Sequence, residues 1–288
     1  MNPRKKLRAL LARPGYAIVP GAHDTLTARL VQLAGFEAAY LSGGGYSRAS
    51  GYPDLGLLTL TEITQWLART VEAVEIPVIA DMDTGYGNAL NVVRSVREYE
   101  NTGVAAFHLE DQVSPKKCGH YEGKQVIGRA EMVGKIKAAV DTRRDADMVI
   151  IARSDSRASE GLQASIDRVN AYLEAGADVG FVEAPQSAAE LAAIPGALCK
   201  PALANIFAGG KTPPLPAREL EAMGFRIGIY PSQTQRAAIA AAKKVLAVLK
   251  RDGDTAAIES ELATFSEREE AVNAGRWRDI ETKYLKDL

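Results

Sequence analysis

The stretch PVIADMDTGYGNALNVVRSVREYENTGVAAFHLEDQ, residues 77–112, decides the fold. A short aliphatic run, Pro77 to Ala80, gives way to acids and glycines at Asp81 to Gly87. Helical spacing of apolar residues then holds from Ala89 to Thr102, and a second aliphatic run, Ala106 to Leu109, closes on Glu110 and Asp111. Neither run alternates polar with apolar side chains. Strands of that kind are buried on both faces, as in a parallel sheet whose crossovers are helices.

The same unit repeats in both directions. Further strands are expected at Tyr16 to Val19, Ala38 to Leu41, Val149 to Ala152, Val179 to Val182, Pro201 to Ala204 and Arg226 to Ile229, eight in all. Helices are expected near Thr25 to Leu33, Thr61 to Val74, Arg129 to Thr142, Leu162 to Ala175, Ala188 to Ile194, Ala217 to Met223 and Thr234 to Leu249. Gly35 and Gly176 each follow a helix and precede a strand, where a left-handed cap is expected. This alternation predicts an α/β fold, a closed (β/α)8 barrel of the TIM type, with a doubly wound open sheet as the alternative. Beyond Arg251 the segments Thr255 to Phe265 and Ser266 to Leu288 read as helical, with no low-complexity linker before them. The expectation is a single barrel domain over residues 1–288, in which 254–288 form a C-terminal helical extension.

Composition narrows the partners. The 288 residues are 47% hydrophobic and 25% charged, enough chain to bury a large core. With 35 basic and 36 acidic residues the net charge is -1, so no bulk field draws the molecule to nucleic acid or an acidic membrane. The basic and apolar stretch Lys5 to Leu11 is broken by Arg13 and Pro14, too early for a signal core or a membrane span. A cytoplasmic protein acting on a small molecule is expected. The two cysteines, Cys118 and Cys199, read as free thiols, Cys199 as a small buried hydrophobe.

Polar residues collect just after the strands, the end at which barrel enzymes place their active sites. Ser42, Gly43, Gly44 and Gly45 follow the second strand, where small residues let backbone N–H groups approach an anion, or simply form a tight turn. Asp54, Asp81, Asp83 and Glu110 fall at or near the ends of strands two to four. Clustered carboxylates repel unless a cation neutralises them, and an all-oxygen ligand set without histidine favours Mg2+ or Mn2+. The loop Asp111 to Gly128 is long for a barrel connection and suggests a mobile lid. Within it Cys118, flanked by Lys116, Lys117 and His120, is biased toward thiolate, a proton-transfer residue or nucleophile. Arg153 and Asp155, Glu183, Asn205 and Ser232 complete the strand ends. Arg153 suits a substrate carboxylate or an ion pair with Asp155 or Glu183, and His23 and His108 read as structural.

These motifs, SGGG, PDLG, D-x-D-x-G-Y-G, LEDQ, KKCGH and ARSD in that order, resemble the isocitrate lyase and phosphoenolpyruvate mutase superfamily from about Tyr16 to Leu249. The resemblance implies a Mg2+-dependent carbon–carbon lyase on a barrel, with Asp83 the direct metal ligand beside Asp81 and Glu110, and Asp54 acting through water. It implies Ser42, Gly43, Gly44, Arg153 and Asn205 as binders of a 2-oxo acid, with Glu183 and Ser232 beside them. Cys118, next to His120, would protonate the departing carboxylate product, and the base would be Tyr40 or a metal-linked carboxylate. It further implies a homotetramer, a dimer of helix-swapped dimers. NIFAGGKTP (205–213) and ATFSEREE (263–270) are similar to the branch that cleaves 2-alkylmalates such as 2,3-dimethylmalate, beside 2-methylisocitrate as a substrate. Oxaloacetate decarboxylation or hydrolysis is the nearest alternative and phosphoenolpyruvate mutation a further one, which the cysteine loop disfavours. A non-catalytic organic-acid sensor is the rival of a different kind. Two departures bear on substrate choice. The segment Ser42 to Asp54 is one residue shorter than usual and carries Arg48, and Tyr121 and Glu122 replace a more basic pair.

Overall fold

A computed structural model describes residues 2–119, 121–207 and 209–285. The chain divides into two compact units, Met1–Gln233 and Thr234–Leu288. In the first, β1 (Ala17–Ala22), β2 (Ala39–Leu41), β3 (Val78–Asp81), β4 (Ala106–Glu110), β5 (Val149–Ser154), β6 (Val179–Val182), β7 (Ala202–Asn205) and β8 (Ile227–Tyr230) form a closed barrel in sequence order. All neighbours are parallel, and β1 closes on β8 with Ala17 opposite Ile227 and Val19 opposite Ile229. The expected (β/α)8 barrel is therefore the fold. Every expected strand is present within three residues of its expected ends.

The barrel's interior explains why its strands need no surface alternation. Ala17, Val19, Ile79, Val149, Ile151, Val179, Leu203, Ile227 and Ile229 fill it and are almost fully buried. A second apolar layer lies between the strands and the surrounding helices α2 (Thr25–Leu33), α4 (Leu60–Ala73), α5 (Ala89–Thr102), α6 (Arg129–Thr142), α8 (Leu162–Glu174), α9 (Ala188–Ala197) and α10 (Ala217–Met223). Gly35 and Gly176 adopt φ of 83° and 115°, the left-handed caps expected of them.

Helix α1 (Pro3–Ala12) was not expected. It closes the N-terminal end of the barrel, with Leu7 and Leu10 in the interior cluster. Arg4 holds it there by donating to the carbonyls of Val104 and Glu100 and pairing with Asp145 at 2.8 Å. Arg8 does the same with Ala146, Met148 and Asp178. The basic and apolar run Lys5 to Leu11 is thus part of this floor, with Arg8 serving the carbonyls of the turn that leads into β5. Two shorter helices also went unforeseen, α3 (Gly43–Ala49) and α7 (Arg157–Glu160).

The second unit is helical. Helix α11 (Gln233–Asp252) begins at its boundary and is followed by a 3-10 turn (Ala256–Glu261), α12 (Phe265–Ala271) and α13 (Ala274–Leu285). The break between the last two falls at Asn273, which takes φ 55°. Among the described residues no helix is long and apolar enough to cross a membrane. Leu7→Ala should cost about 3 kcal/mol, the range for a buried leucine whose site cannot collapse, and urea unfolding should show a lower midpoint.

Candidate active site

Inward-facing positions along the strands are apolar near the floor and ionic at the C-terminal end. On β4 the series is Ala106, His108, Glu110; on β5 it is Val149, Ile151, Arg153; past β6 it is Val179, Phe181, Glu183. Arg153 is the hub of the upper layer. Its Nε and Nη2 donate to the two oxygens of Asp155 at 2.8 and 3.1 Å, Nε lies 3.2 Å from Glu110 Oε2, and Nη2 lies 3.5 Å from Glu183 Oε2. Its Cζ also stands 5.1 Å from the centre of the Phe181 ring. Asn205 Nδ2 donates to both oxygens of Glu183 at 3.2 Å. Burial would lower the pKa of Arg153, but Asp155, Glu110 and Glu183 raise it well above the usual value. Asp155 is held below the usual carboxylate range, because Arg153 and Lys124 more than offset its burial.

The three glycines after β2 form neither an open anion loop nor a tight turn. Ser42 caps α3, with Gly45 N–H donating to its Oγ at 3.2 Å, and Tyr46 stacks on Trp66 with ring centres 4.2 Å apart. Gly43 N–H is taken by the protein itself, donating to Asp81 Oδ2 at 3.1 Å. A Cβ on Gly44 would lie 2.5 Å from Asp54 Oδ2, so glycine here makes room for carboxylates. Asp81 also accepts the N–H of Asp83 at 3.0 Å.

Lys116, from the long loop, reaches into this cluster. Its Nζ lies 2.5 Å from Asp54 Oδ1 and 3.0 Å from Asp83 Oδ1, the latter without hydrogen-bond geometry. Burial pushes Asp83 up to about 7 against the pull of Lys116, with Asp81 and Asp54 adding to the rise. Glu110 is raised well above its ordinary value by burial, Arg153 opposing. Asp81 goes the other way, its burial outweighed by His108, Lys116 and Arg153. Asp83 Oδ1 and Glu110 Oε1 are buried and accept no hydrogen bond among the described residues. Unsatisfied carboxylate oxygens in an acid-rich pocket fit a hard divalent cation. Asp81, His108 and Glu110 offer ligand atoms within 4.8 Å of one another, so His108, set aside in the sequence, belongs to this group by position.

His108 Nε2 is 2.7 Å from the Tyr40 hydroxyl. Burial takes His108 down to about 4, and burial together with Asp81 holds Tyr40 well above its ordinary range. At neutral pH the imidazole is uncharged and the phenol keeps its proton, and the two share this hydrogen bond.

The described residues of the loop from Asp111 to Gly128 lie against these groups. Its ends are zipped by Val113 N–H donating to Gln125 O and Ile127 N–H to Asp111 O, both 2.8 Å. Lys124 donates to Asp155 at 2.8 Å and to the Gly119 carbonyl. A Cβ on Gly119 would stand 2.6 Å from Arg153 Nη2 and 2.9 Å from Glu183, so the loop touches the hub directly. Cys118 N–H donates to Asp54 O at 3.2 Å. The ammonium groups assigned in the sequence to the thiol are engaged with oxygens: Lys116 with Asp54 and Asp83, Lys117 with Gly123 O. Cys199 is exposed, not buried, and His120 lies outside the described residues.

One cleft of about 50 Å3 gathers Tyr40, Ser42, Asp54, Asp81, Cys118, Arg153, Glu183, Asn205 and Ser232. Gly43, Gly44, Asp83 and Glu110 stand behind, touching residues that line it. A larger cavity, about 490 Å3, lies at the N-terminal end beside Leu10, Phe36 and Ile76, away from these convergent ionic groups. Sequence reading missed the support behind Arg153. Asp111 Oδ1 accepts Asp155 N–H at 2.9 Å, and its Oδ2 accepts the hydroxyls of Ser154 and Tyr172 at 2.8 Å. The available signal was its place next to Glu110, since consecutive strand residues face opposite ways.

A parallel barrel with a lidded cleft of carboxylates, arginine and a thiol at its strand ends defines an enzyme of small organic acids. The chain belongs to the phosphoenolpyruvate phosphomutase family, which it matches over residues 7–250. It is similar to 2,3-dimethylmalate lyase of Eubacterium barkeri, 46% identical over 285 residues that cover 99% of each protein. It is also similar to 2-methylisocitrate lyase of Halalkalibacterium halodurans, 41% identical over 98% of this chain and 94% of that one. Among solved structures, oxaloacetate acetylhydrolase bound to 3,3-difluorooxalacetate superposes with a TM-score of 0.94 at 36% identity, covering 98% of this chain and 97% of the other. The chain is thus an enzyme of the methylisocitrate lyase-like kind, a carbon–carbon lyase.

The raised Asp83 makes a pH prediction whose sign follows from its direction. A carboxyl with a folded pKa near 7 and an unfolded one of about 4 stabilises the fold at low pH, and that contribution is lost as pH rises through this window. Metal-free protein should melt at a lower temperature at pH 8 than at pH 5. Mg2+ should raise the melting temperature at pH 8 far more than at pH 5, and Asp83→Asn should flatten both effects.

Proposed function

We propose that the protein cleaves a 2-hydroxy di- or tricarboxylate in a reverse Claisen-type reaction, releasing a 2-oxo acid such as pyruvate and a second carboxylic acid, with Mg2+ (or Mn2+) as cofactor. A 2-alkylmalate such as 2,3-dimethylmalate is the leading substrate, followed by 2-methylisocitrate. The observation that carries this reading is Cys118 in the wall of the cleft that Arg153, Glu183 and Asn205 also line. A thiol there is placed to protonate carbon. The similarity to 2,3-dimethylmalate lyase over almost the whole chain supports the substrate class.

Asp81, Asp83 and Glu110 would hold the metal, with Asp54 acting through water. When bound, the ion supplies positive charge that stabilises an oxyanion on the hydroxyl-bearing carbon. Arg153, with Ser42 and Asn205, binds and orients the carboxylate of the 2-oxo acid portion. Tyr40 rests protonated against His108, so a carboxylate of the cluster is the better base for the hydroxyl proton. As the carbon–carbon bond breaks, its electron pair leaves with the second fragment as an enediolate. Cys118 gives that carbon a proton, while Gly119 and Lys116 keep the loop closed and water out.

Hydrolysis of oxaloacetate is the second reading, favoured by the close superposition on oxaloacetate acetylhydrolase. Products separate the two: pyruvate from an alkylmalate in the first case, oxalate with acetate from oxaloacetate in the second. Cys118→Ser should cut alkylmalate cleavage on the order of 10²-fold while leaving oxalate affinity intact, since a hydroxyl is a much weaker acid than a thiol. Unimpaired cleavage by that variant would remove Cys118 from the mechanism. Activity should vanish on chelation and return with Mg2+, and turnover confined to oxaloacetate would leave the second reading standing.

The reading extends to assembly as a homotetramer built from helix-swapped dimers. In the helical unit Leu246, Phe265, Trp277 and Tyr284 are exposed, apolar surface that association would cover. Sedimentation at micromolar concentration should give a single species of about four chain masses.

A further inference from the structure

We propose that Arg48 selects the substrate class by binding a second carboxylate, the one on the fragment that departs as the carbon–carbon bond breaks. The inference rests on the reaction proposed above and concerns the part of its site that no residue has yet filled.

Among the described residues three lysine or arginine side chains line the cleft: Arg48, Lys116 and Arg153. Lys116 is neutralised by Asp54 and Asp83, and Arg153 by Asp155, Glu110 and Glu183. Among the described residues Arg48 has no carboxylate partner. Its Nη1 donates to the carbonyl of Gly44, one turn back in α3, at 2.9 Å. A guanidinium carries five N–H donors in a fork that matches a carboxylate, so most of this fork is open at the exposed rim. With Arg153 given to the carboxylate of the 2-oxo acid portion, a second carboxylate would otherwise meet only Lys116, already paired with two acids. At Arg48 it gains a charge-assisted pair.

The position fits the chemistry as well as the charge. Arg48 and Asp54 lie against the same face of Gly44, where a Cβ would meet Asp54 Oδ2 at 2.5 Å and Arg48 Nη1 at 3.2 Å. The carbonyl of that same Asp54 accepts the N–H of Cys118. Arg48 and Cys118 thus line the same cleft, whose proposed proton donor must face the departing fragment.

In the step itself the pair from the broken bond moves onto the departing carbon and into its carboxylate, forming the enediolate. The hydroxyl proton goes to the cluster base, the carbon takes the proton of the Cys118 thiol, and the thiolate regains one from solvent as the base gives its own up. Nothing is oxidised or reduced. The carboxylate at Arg48 is the group on which the extra charge collects, so the contact strengthens as the bond breaks.

The test uses full-length, Mg2+-loaded protein, wild type, Arg48→Gln and Arg48→Lys. Turnover of 2,3-dimethylmalate is measured, and calorimetry reads oxalate, which fits the 2-oxo acid portion alone, and succinate, which carries a second carboxylate without a hydroxyl. Arg48→Gln should lose about 10- to 100-fold in kcat/KM and weaken succinate by a similar factor, while oxalate stays within about twofold. Arg48→Lys should recover part of both. Unchanged kcat/KM and succinate affinity in Arg48→Gln would overturn the proposal, as would an equal loss for oxalate, which marks a structural role. If the wild type cleaves no 2-hydroxy dicarboxylate, the reaction proposed above fails. The contrast between succinate and oxalate then still decides Arg48, since a carboxylate site keeps it and its absence rejects one.

Discussion

Arg153 meets the carboxylates of Asp155, Glu110 and Glu183 within 3.5 Å, and most of the site hangs on that contact. A guanidinium is never deprotonated in this pH range, so it is a fixed positive charge around which acids can be buried. Three strands deliver the partners, and their register sets the spacing: Glu110 lies opposite Arg153, and Arg153 opposite Phe181. Without that charge, Glu110 and Asp155 would repel each other in a nearly dry interior, which carboxylates avoid by taking up protons. The backing of Asp155 by Asp111, Ser154 and Tyr172 keeps the fork in one orientation.

Beside that hub stands a second group of acids whose charge is only partly met. Asp54 and Asp83 share Lys116, while Glu110 and Asp83 each keep an oxygen with no donor among the described residues. Because Lys116 belongs to the loop, the loop itself supplies the charge that balances these acids. Lys124 on Asp155 gives the same loop a second ionic anchor on the hub's side. The lid is thus held by charges that belong to the site, so its position and the site's electrostatics depend on each other.

The strand and helix pattern was legible because it depends on local spacing. Aliphatic runs such as Val149 to Ala152 bury both faces, and helices such as Ala89 to Thr102 show one apolar stripe. The left-handed caps at Gly35 and Gly176 were legible for the same reason. Helix α1 was not, since its two buried leucines matter only once the barrel offers a floor to fill. Nor was α3, whose glycines disfavour a helix locally, although a Cβ on Gly44 would strike Asp54 and one on Gly43 would crowd Asp81 and Asp83.

The sequence by itself determined which residues would gather: strand-end acids, Arg153, Asn205 and the cysteine loop all fall after strands, and a parallel barrel brings those ends together. Only the tertiary structure decided how they pair. Lys116 stands two residues from Cys118 in the chain, yet its ammonium lies against Asp54 and Asp83, and His108 lies among the acids although its neighbours in sequence are Phe107 and Leu109. Pairing of buried charges depends on distances across strands and on desolvation, and neither is encoded in the spacing of residues along a single chain.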